Sequence, residues 1–352
     1  MLSRVADACY WIGRYLERAE NVARFADVNQ YLLVDAPGEE GEQWEPLVMI
    51  TGDEDYFKEH HGEPTRENVL KFLTFDPGYG NSIAACVRMA RENARSIRDT
   101  ITVEMWQQIN RFRDMVEEGN RQHGSGDVPY EFYAGVKAAS QLFSGIMESS
   151  MTHGEAWQFV RLGQLLERAD KATRLLDVKY FILLPSIDDV GSSIDELQWT
   201  ALLRSASALQ MYRRKHGLIR PDRVIEYLLL DRHFPRSVLF CLLGAQRCLH
   251  TISGTPTGSF GNPPEQRIGQ LTSHLSYLQP GDIIRGGSHE FLDDLQDKIN
   301  QIDTAIYKHY IEASQRRVDL PLQAYLPENH RGRAKAGECG LNQVDPDEDA
   351  EP

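Results

Sequence analysis

"WIGRYLERAENVARFADV" (residues 11–28) and "RLGQLLERADKATRLLDV" (residues 161–178) are two versions of one stretch, separated by 150 positions. Each version keeps a glycine, a leucine, an adjacent Glu-Arg pair and an alanine at the same spacing, followed by an arginine and an Asp-Val pair. Apolar residues recur every three or four positions in both, which is typical of an amphipathic α-helix with one face in a core. The sequence therefore predicts two related long helices.

The duplication extends beyond these helices, with the shift between copies growing from 150 to 155 positions. At the larger shift the matched residues include the following: His61-Gly62 with His216-Gly217, Asp76 with Asp231, Ser82 with Ser237 and Cys86 with Cys241. Sustained apolar alternation with hairpin turn signals is not found, so strands are not expected. We predict an all-α protein, a pseudo-twofold helical bundle built from two tandem copies of a multi-helix unit.

The repeat boundaries follow from these matches. We place the first repeat at residues 1–126, a connecting helix at 127–152 and the second repeat at 153–325. Residues 326–352 are poor in apolar residues and close on an acidic run, so we predict a disordered acidic tail there.

Composition limits the classes of function. The chain has 352 residues, 41% of them hydrophobic, and a formal net charge of -14, which disfavours nucleic acid as a partner. Its first residues carry charges where a signal peptide would be apolar, and it lacks an apolar run long enough to cross a bilayer, so neither export nor a membrane partner is expected. The five cysteines are odd in number and lack a CxxC pair, which fits reduced thiols. We therefore predict a cytoplasmic location.

The repeated Glu-Arg pair has two interpretations. Glycine within a helix costs about 1 kcal/mol relative to alanine, yet one stands four residues before each glutamate. Because helical side chains lean towards the N-terminus, the missing Cβ leaves a notch beside each carboxylate. Another helix of the same molecule could fill that notch, or a ligand or partner could enter it. The pairs Glu20–Arg24 and Asp170–Arg174 are predicted to be surface ion pairs of little functional meaning.

Other chemistry has weaker support in the sequence. Inward Glu-x-x-His pairs, a phosphate-binding loop, a dinucleotide fingerprint and an H-E-x-x-H motif are all missing, so we expect neither a metal nor a cofactor. Cys9, Cys86 and Cys241 fall on apolar stripes and are interpreted as core thiols. His61 and His216, each followed by glycine, are predicted to end helices.

Several longer stretches resemble the bacterial alpha-E family, helical proteins named for a Glu-Arg motif and often built as a tandem duplication. The resemblance rests on these segments: "LSRVADACYWIGRYLERAENVAR" (2–24), "FLTFD" (72–76), "RENARSIRD" (91–99), "EMWQQIN" (104–110), "LGQLLERAD" (162–170) and "LLLDRHFPRSVLFCL" (228–242). They occur in the order of the family and cover nearly everything except the tail.

The resemblance also suggests candidate site residues. Gln164 stands where the first copy has Arg14, and "RENAR" has no counterpart in the second copy, so the first copy is the better candidate. The candidate set is Gly13, Arg14, Glu17, Arg18, Glu92, Arg95 and Trp106 in the first copy, with Gly163, Glu167 and Arg168 in the second.

Similar proteins accompany circularly permuted ATP-grasp ligases and transglutaminase-like proteins in bacterial gene clusters. This association implies a non-catalytic helical accessory protein of a peptide synthesis or modification system. The alternative is a small-molecule binder or enzyme in which Arg18 grips a substrate carboxylate and Glu17 transfers a proton. That alternative requires an open pocket beside Gly13 and a glutamate with a raised pKa. The sequence favours the accessory protein over an enzyme.

Overall fold

A computed structural model describes residues 1–35, 44–181, 193–285 and 288–312. These ranges form fifteen α-helices and one π-helical turn without any strand, so the all-α prediction is confirmed for them. The helices are α1 Ser3–Asp35, α2 Glu45–Met49, α3 Glu54–His61, α4 Arg66–Phe75, α5 Ile83–Ser96, α6 Val103–His123, α7 Tyr130–Ser150, α8 Glu155–Phe181, α9 Ser193–Ser205, α10 Leu209–His216, α11 Pro221–Leu230, α12 Val238–Ser253, α13 Pro263–Tyr277, α14 Pro280–Arg285 and α15 Ser288–Ile306, and the π-helical turn is Tyr307–Glu312. The predicted tail, 326–352, lies outside the described residues.

The two long helices, α1 and α8, pack along each other at the centre of the molecule. Their apolar stripes are buried as the periodicity predicts, with Ile12 and Leu16 on α1 and Leu162 and Leu166 on α8 fully excluded from solvent. Burial of these side chains is the main favourable term that holds the pair together. None of the described helices has both the length and the apolar character needed to cross a bilayer.

The same order of contacts occurs on both central helices. On α1 pack α5 and α7, with α6 between them, and on α8 pack α12 and α15, with α13 between them. Two further contacts cross over: α9 packs on α1, and α2 packs on α8. Each central helix is therefore covered by helices that follow it in the chain and by one that follows the other central helix.

The corners that precede α5 and α12 have the same hydrogen bonds. Asp76 accepts bonds from the backbone N–H groups two and three residues later, and Ser82 caps α5 while donating to the carbonyl of Asp76. Asp231 and Ser237 repeat this arrangement before α12. These residues were matched from the sequence alone. The structure shows that the matched residues form the same hydrogen-bonded corner in both places.

The predicted helix ends at His61 and His216 are also confirmed, because α3 and α10 end there. The glycines that follow have φ values of 75° and 76°, a region that favours glycine.

Candidate functional site

The repeated glycines lie where the backbones of α1 and α8 touch. A Cβ added to Gly13 would lie 2.1 Å from the carbonyl oxygen of Val160, and one added to Gly163 would lie 2.2 Å from the carbonyl oxygen of Tyr10. Both distances are far shorter than a van der Waals contact. Of the two interpretations of the notch beside Gly13, the contact therefore favours the packed helix, because the other central helix fills that space.

The Glu-Arg pairs of the two helices bind each other. Arg18 donates two hydrogen bonds to the carboxylate of Glu167, from Nε at 2.7 Å and Nη2 at 3.0 Å. Arg168 binds Glu17 in the same way, at 2.9 and 2.7 Å. Both glutamates are at most 1% exposed. The glycine contacts join residues 10–13 to residues 160–163, and the Glu-Arg pairs join residues 17–18 to residues 167–168. Residue numbers therefore increase in the same direction along both helices, so α1 and α8 run parallel.

The two glutamates differ in their remaining neighbours. Nε of Arg14 lies 2.6 Å from Glu167, an ion pair without hydrogen-bond alignment. Gln164, at the position that corresponds to Arg14, instead donates to Ser144. The second cation beside Glu17 comes from α12's capping loop, where Arg236 lies 3.3 Å from its carboxylate. The two clusters are therefore related but chemically distinct.

The pairs Glu20–Arg24 and Asp170–Arg174 were predicted to lie on the surface, and this prediction is wrong. Glu20 is 1% exposed and Arg24 is 3% exposed. Arg24 also donates to the carbonyl of Ser205 at the end of α9, at 2.7 Å, while Arg174 donates to the carbonyl after α2, at 3.0 Å. The crossing helices α9 and α2 cover these faces, which the periodicity of a single helix does not reveal.

The pKa values of Glu20 and Glu167 favour their ionised forms. Burial raises the pKa of Glu20, but the charges of Arg236 and Arg24 outweigh it and hold this pKa at about 2. Burial acts on Glu167 in the same direction, and the charges of Arg18 and Arg14 hold its pKa well below the usual range. A carboxyl that exchanges protons near neutral pH needs a raised pKa, so Glu167 is placed for ion pairing instead.

The cysteines of the described residues are buried, as predicted for Cys9, Cys86 and Cys241. Burial raises the pKa of Cys9 and Cys86 to about 12, and that of Cys241 and Cys248 to about 11. Thiols with such pKa values are weak nucleophiles at neutral pH.

The other predicted residues of the first copy lie apart from the Glu-Arg pairs. Glu92 pairs with Arg95 at 2.7 Å on the surface of α5. Trp106, on α6, packs beneath the guanidinium of Arg98, 4.6 Å from the ring centre. The contacts given for these residues in the described part of the chain do not reach the central carboxylates, so the structure does not join them to the Glu-Arg site.

Sequence reasoning missed several residues of the buried network, Arg236 and Asp303 among them. Arg236 binds Glu17 and Glu20, and Asp303 on α15 accepts hydrogen bonds from Arg14, at 3.2 Å, and from Tyr10. A signal for Arg236 was present, since the shift of 155 aligns it with Asn81, which accepts from Arg18 at 2.5 Å. Asp303 lacks any such signal.

One cluster outside this network has the spacing of metal ligands. Nδ1 of His289 lies 2.8 Å from Asp177, and Nε2 lies 3.6 Å from Asp293. The ring lies between the two carboxylates, and its hydrogen bond with Asp177 raises the pKa of His289, which favours an ion pair at this place.

Comparison with known proteins places the chain among relatives of unstated function. It is 23% identical over 335 residues to uncharacterized proteins of Mycobacterium bovis and Mycobacterium tuberculosis. These matches cover 86% of this chain but 37% of each relative, so the chain spans little more than a third of their length. No solved structure matches the chain. Residues 1–311 match the model of Alpha-E, a predicted alpha-helical domain with a conserved ER motif, and the chain therefore belongs to the Alpha-E family.

Proposed function

We propose that this chain is a non-catalytic helical partner protein in a bacterial peptide synthesis or modification system. In this role it works in the cytoplasm beside a circularly permuted ATP-grasp ligase and a transglutaminase-like protein. The observation that carries the proposal is the reciprocal pairing of Arg18 with Glu167 and of Arg168 with Glu17. Because the motif residues bind each other in this way, they stabilise a scaffold, and a partner would bind at the surface of that scaffold.

The scaffold, in this proposal, consists of two tandem copies related by a pseudo-twofold axis that runs between α1 and α8. The reciprocal contacts support this arrangement, because a twofold axis turns each contact of residue i with residue j into its counterpart. Gly13 with Val160 and Gly163 with Tyr10 form such a pair of contacts. The same order of flanking helices on α1 and α8 supports it as well.

The mycobacterial relatives support a partner role in a different way. The matching region makes up 37% of each relative, so the helical unit there is joined to other sequence in one polypeptide. A helical unit joined to other sequence in one polypeptide is placed to act together with it.

Co-expression tests the proposal directly. The full-length chain is produced with a tagged circularly permuted ATP-grasp protein from the same organism, and the affinity eluate is run on a sizing column with light scattering. We expect a stoichiometric complex, and ADP formation by the ligase but not by the chain alone. A folded chain that elutes as a separate peak from the ligase at micromolar concentration would overturn the partner role. Substrate turnover by the chain alone would favour the enzyme instead.

A further inference from the structure

A basic region stands out in this acidic chain. Residues 204–236 contain eight Lys or Arg against three Asp or Glu, a net charge of +5. The region that aligns with it at a shift of 155, residues 49–81, contains three Lys or Arg against seven Asp or Glu, a net charge of -4. Two regions with the same corner structure therefore carry opposite charge.

Most of the basic side chains are exposed. We define the basic face by its exposed cations: Arg213, Arg214, Lys215, Arg220, Arg223 and Arg232. Lys215 pairs with the buried Asp231, and the cations of α11 pair with acids on their own helix. Arg213, Arg214 and Arg232 make no ion pair within the described ranges of the chain, so their charges are available to a partner.

The helix dipole does not account for the whole of this face. Positive charge in the last turn of α10 is favoured by the helix dipole, but the matching last turn of α3 carries Glu59 among its basic residues. Arg220 and Arg223 lie at the first turn of α11, where the dipole disfavours positive charge. The helix dipole therefore does not account for the basic residues at the start of α11.

The same face carries exposed apolar surface. A groove of about 450 Å³ lies between α10 and the loop before α12, lined by Met211, Tyr227, Phe234 and Pro235 with cationic side chains at its edge. Met211 is 48% exposed, and Leu218, in the loop after α10, is 81% exposed. Arginine, methionine and aromatic residues around an apolar centre are typical of protein interfaces.

We propose that the basic face binds an acidic segment of a partner protein. Carboxylates of that segment pair with Arg213, Arg214 and Arg232, and one of its apolar side chains enters the groove. A short acidic segment meets mainly the positive charge of this face, whereas a long polyanion or an anionic membrane also meets the rest of the chain, whose acidic residues give it a net charge of -14. This inference rests on the proposed partner role and adds to it the binding face and the chemistry of the partner.

Fluorescence anisotropy with a defined probe tests the face. The probe is a fluorescein-labelled peptide of nine glutamates around one leucine, titrated with the full-length chain at low salt. The test variant carries Arg213→Ser, Arg214→Ser and Arg232→Ser. The control carries Arg4→Ser, Arg88→Ser and Arg111→Ser, three exposed arginines of α1, α5 and α6. We expect about tenfold weaker binding for the test variant, as three lost charge pairs imply, and less than a twofold change for the control.

Several results would overturn the inference. Equal weakening by both triple variants would indicate an effect of bulk charge. Tighter binding of duplex DNA or of phosphatidylserine vesicles through the same arginines would assign the face to a different polyanion. Peptide binding that appears only after Asp345, Asp347, Glu348, Asp349 and Glu351 are changed to amides would mean that the chain's own acidic segment occupies the face. Ligase binding that survives the test variant would overturn the face but leave the partner role intact.

Discussion

The guanidinium of Arg18 binds both carboxylate oxygens of Glu167 across the interface of α1 and α8, at 2.7 and 3.0 Å. The reciprocal pair, Arg168 with Glu17, explains why the two residue types are adjacent: on each helix one accepts from the other helix and one donates to it. Buried ion pairs often add little net stability, but losing one partner leaves an uncompensated charge. We infer that the two pairs fix the register of the central helices.

The contact at Gly13 predicts a steric penalty. The change Gly13→Ala places a Cβ 2.1 Å from a backbone oxygen that belongs to a packed helix, so the helices must separate. We expect a loss of about 3 kcal/mol or more in the free energy of unfolding, measured by urea denaturation followed by circular dichroism. The matched control is Gly145→Ala in α7, where a Cβ meets no atom within 4 Å. This control should stabilise the protein by about 0.5–1 kcal/mol, and equal effects of both changes would contradict the close approach.

Because Glu20 is buried, changing it should lower the free energy of unfolding far more than its i,i+4 spacing from Arg24 alone would predict. The change Glu20→Gln leaves Arg24 and Arg236 short of a counter-charge in a buried site, so we expect a loss of about 3–5 kcal/mol. The control is Glu118→Gln, which breaks an exposed pair with Arg121 and should change stability by less than about 0.5 kcal/mol. Thermal unfolding of both variants measures the difference, and a similar small effect at both positions would mean that Glu20 is solvated.

Acid should weaken the fold through the same carboxylate. The folded pKa of Glu20, about 2, lies below its ordinary value of 4.5. A depressed folded pKa adds stability above pH 4.5, and that stability is lost as the pH falls towards 2. The full loss from this group corresponds to roughly 3 kcal/mol. Urea denaturation of wild type between pH 6 and 3 should show part of it, and the slope should be shallower for Glu20→Gln. An unchanged slope in this variant would count against the prediction.

Thiol chemistry offers an independent check of the core. Cys9, Cys86, Cys241 and Cys248 are buried and have raised pKa values. At neutral pH they should react with iodoacetamide only as fast as the protein opens, and rapidly in urea. Peptide mapping by mass spectrometry identifies the modified positions. Rapid labelling of any of the four in the native protein would indicate an accessible thiol.

The sequence predicts what depends on spacing within one helix. The stripe through Ile12 and Leu16 and the helix end at His61 follow from local patterns, and both are present. The role of Gly13 was left between a packed helix and a ligand, because a missing Cβ shows that space is needed but not what fills it. Glu20 is buried, and Arg236 binds it, through contacts between residues about 200 positions apart in the chain. The periodicity of a single helix carries no information about such contacts.

A double-mutant cycle on Arg18 and Glu167 tests the central claim most directly. The variants Arg18→Met and Glu167→Gln are made singly and together, and free energies of unfolding come from urea denaturation. We predict that each single change costs about 3–5 kcal/mol and that the double variant recovers about 2–3 kcal/mol of their sum. A parallel cycle of Arg18→Met with Glu118→Gln should be additive. Additivity in the Arg18 and Glu167 cycle, within about 0.5 kcal/mol, would contradict the account.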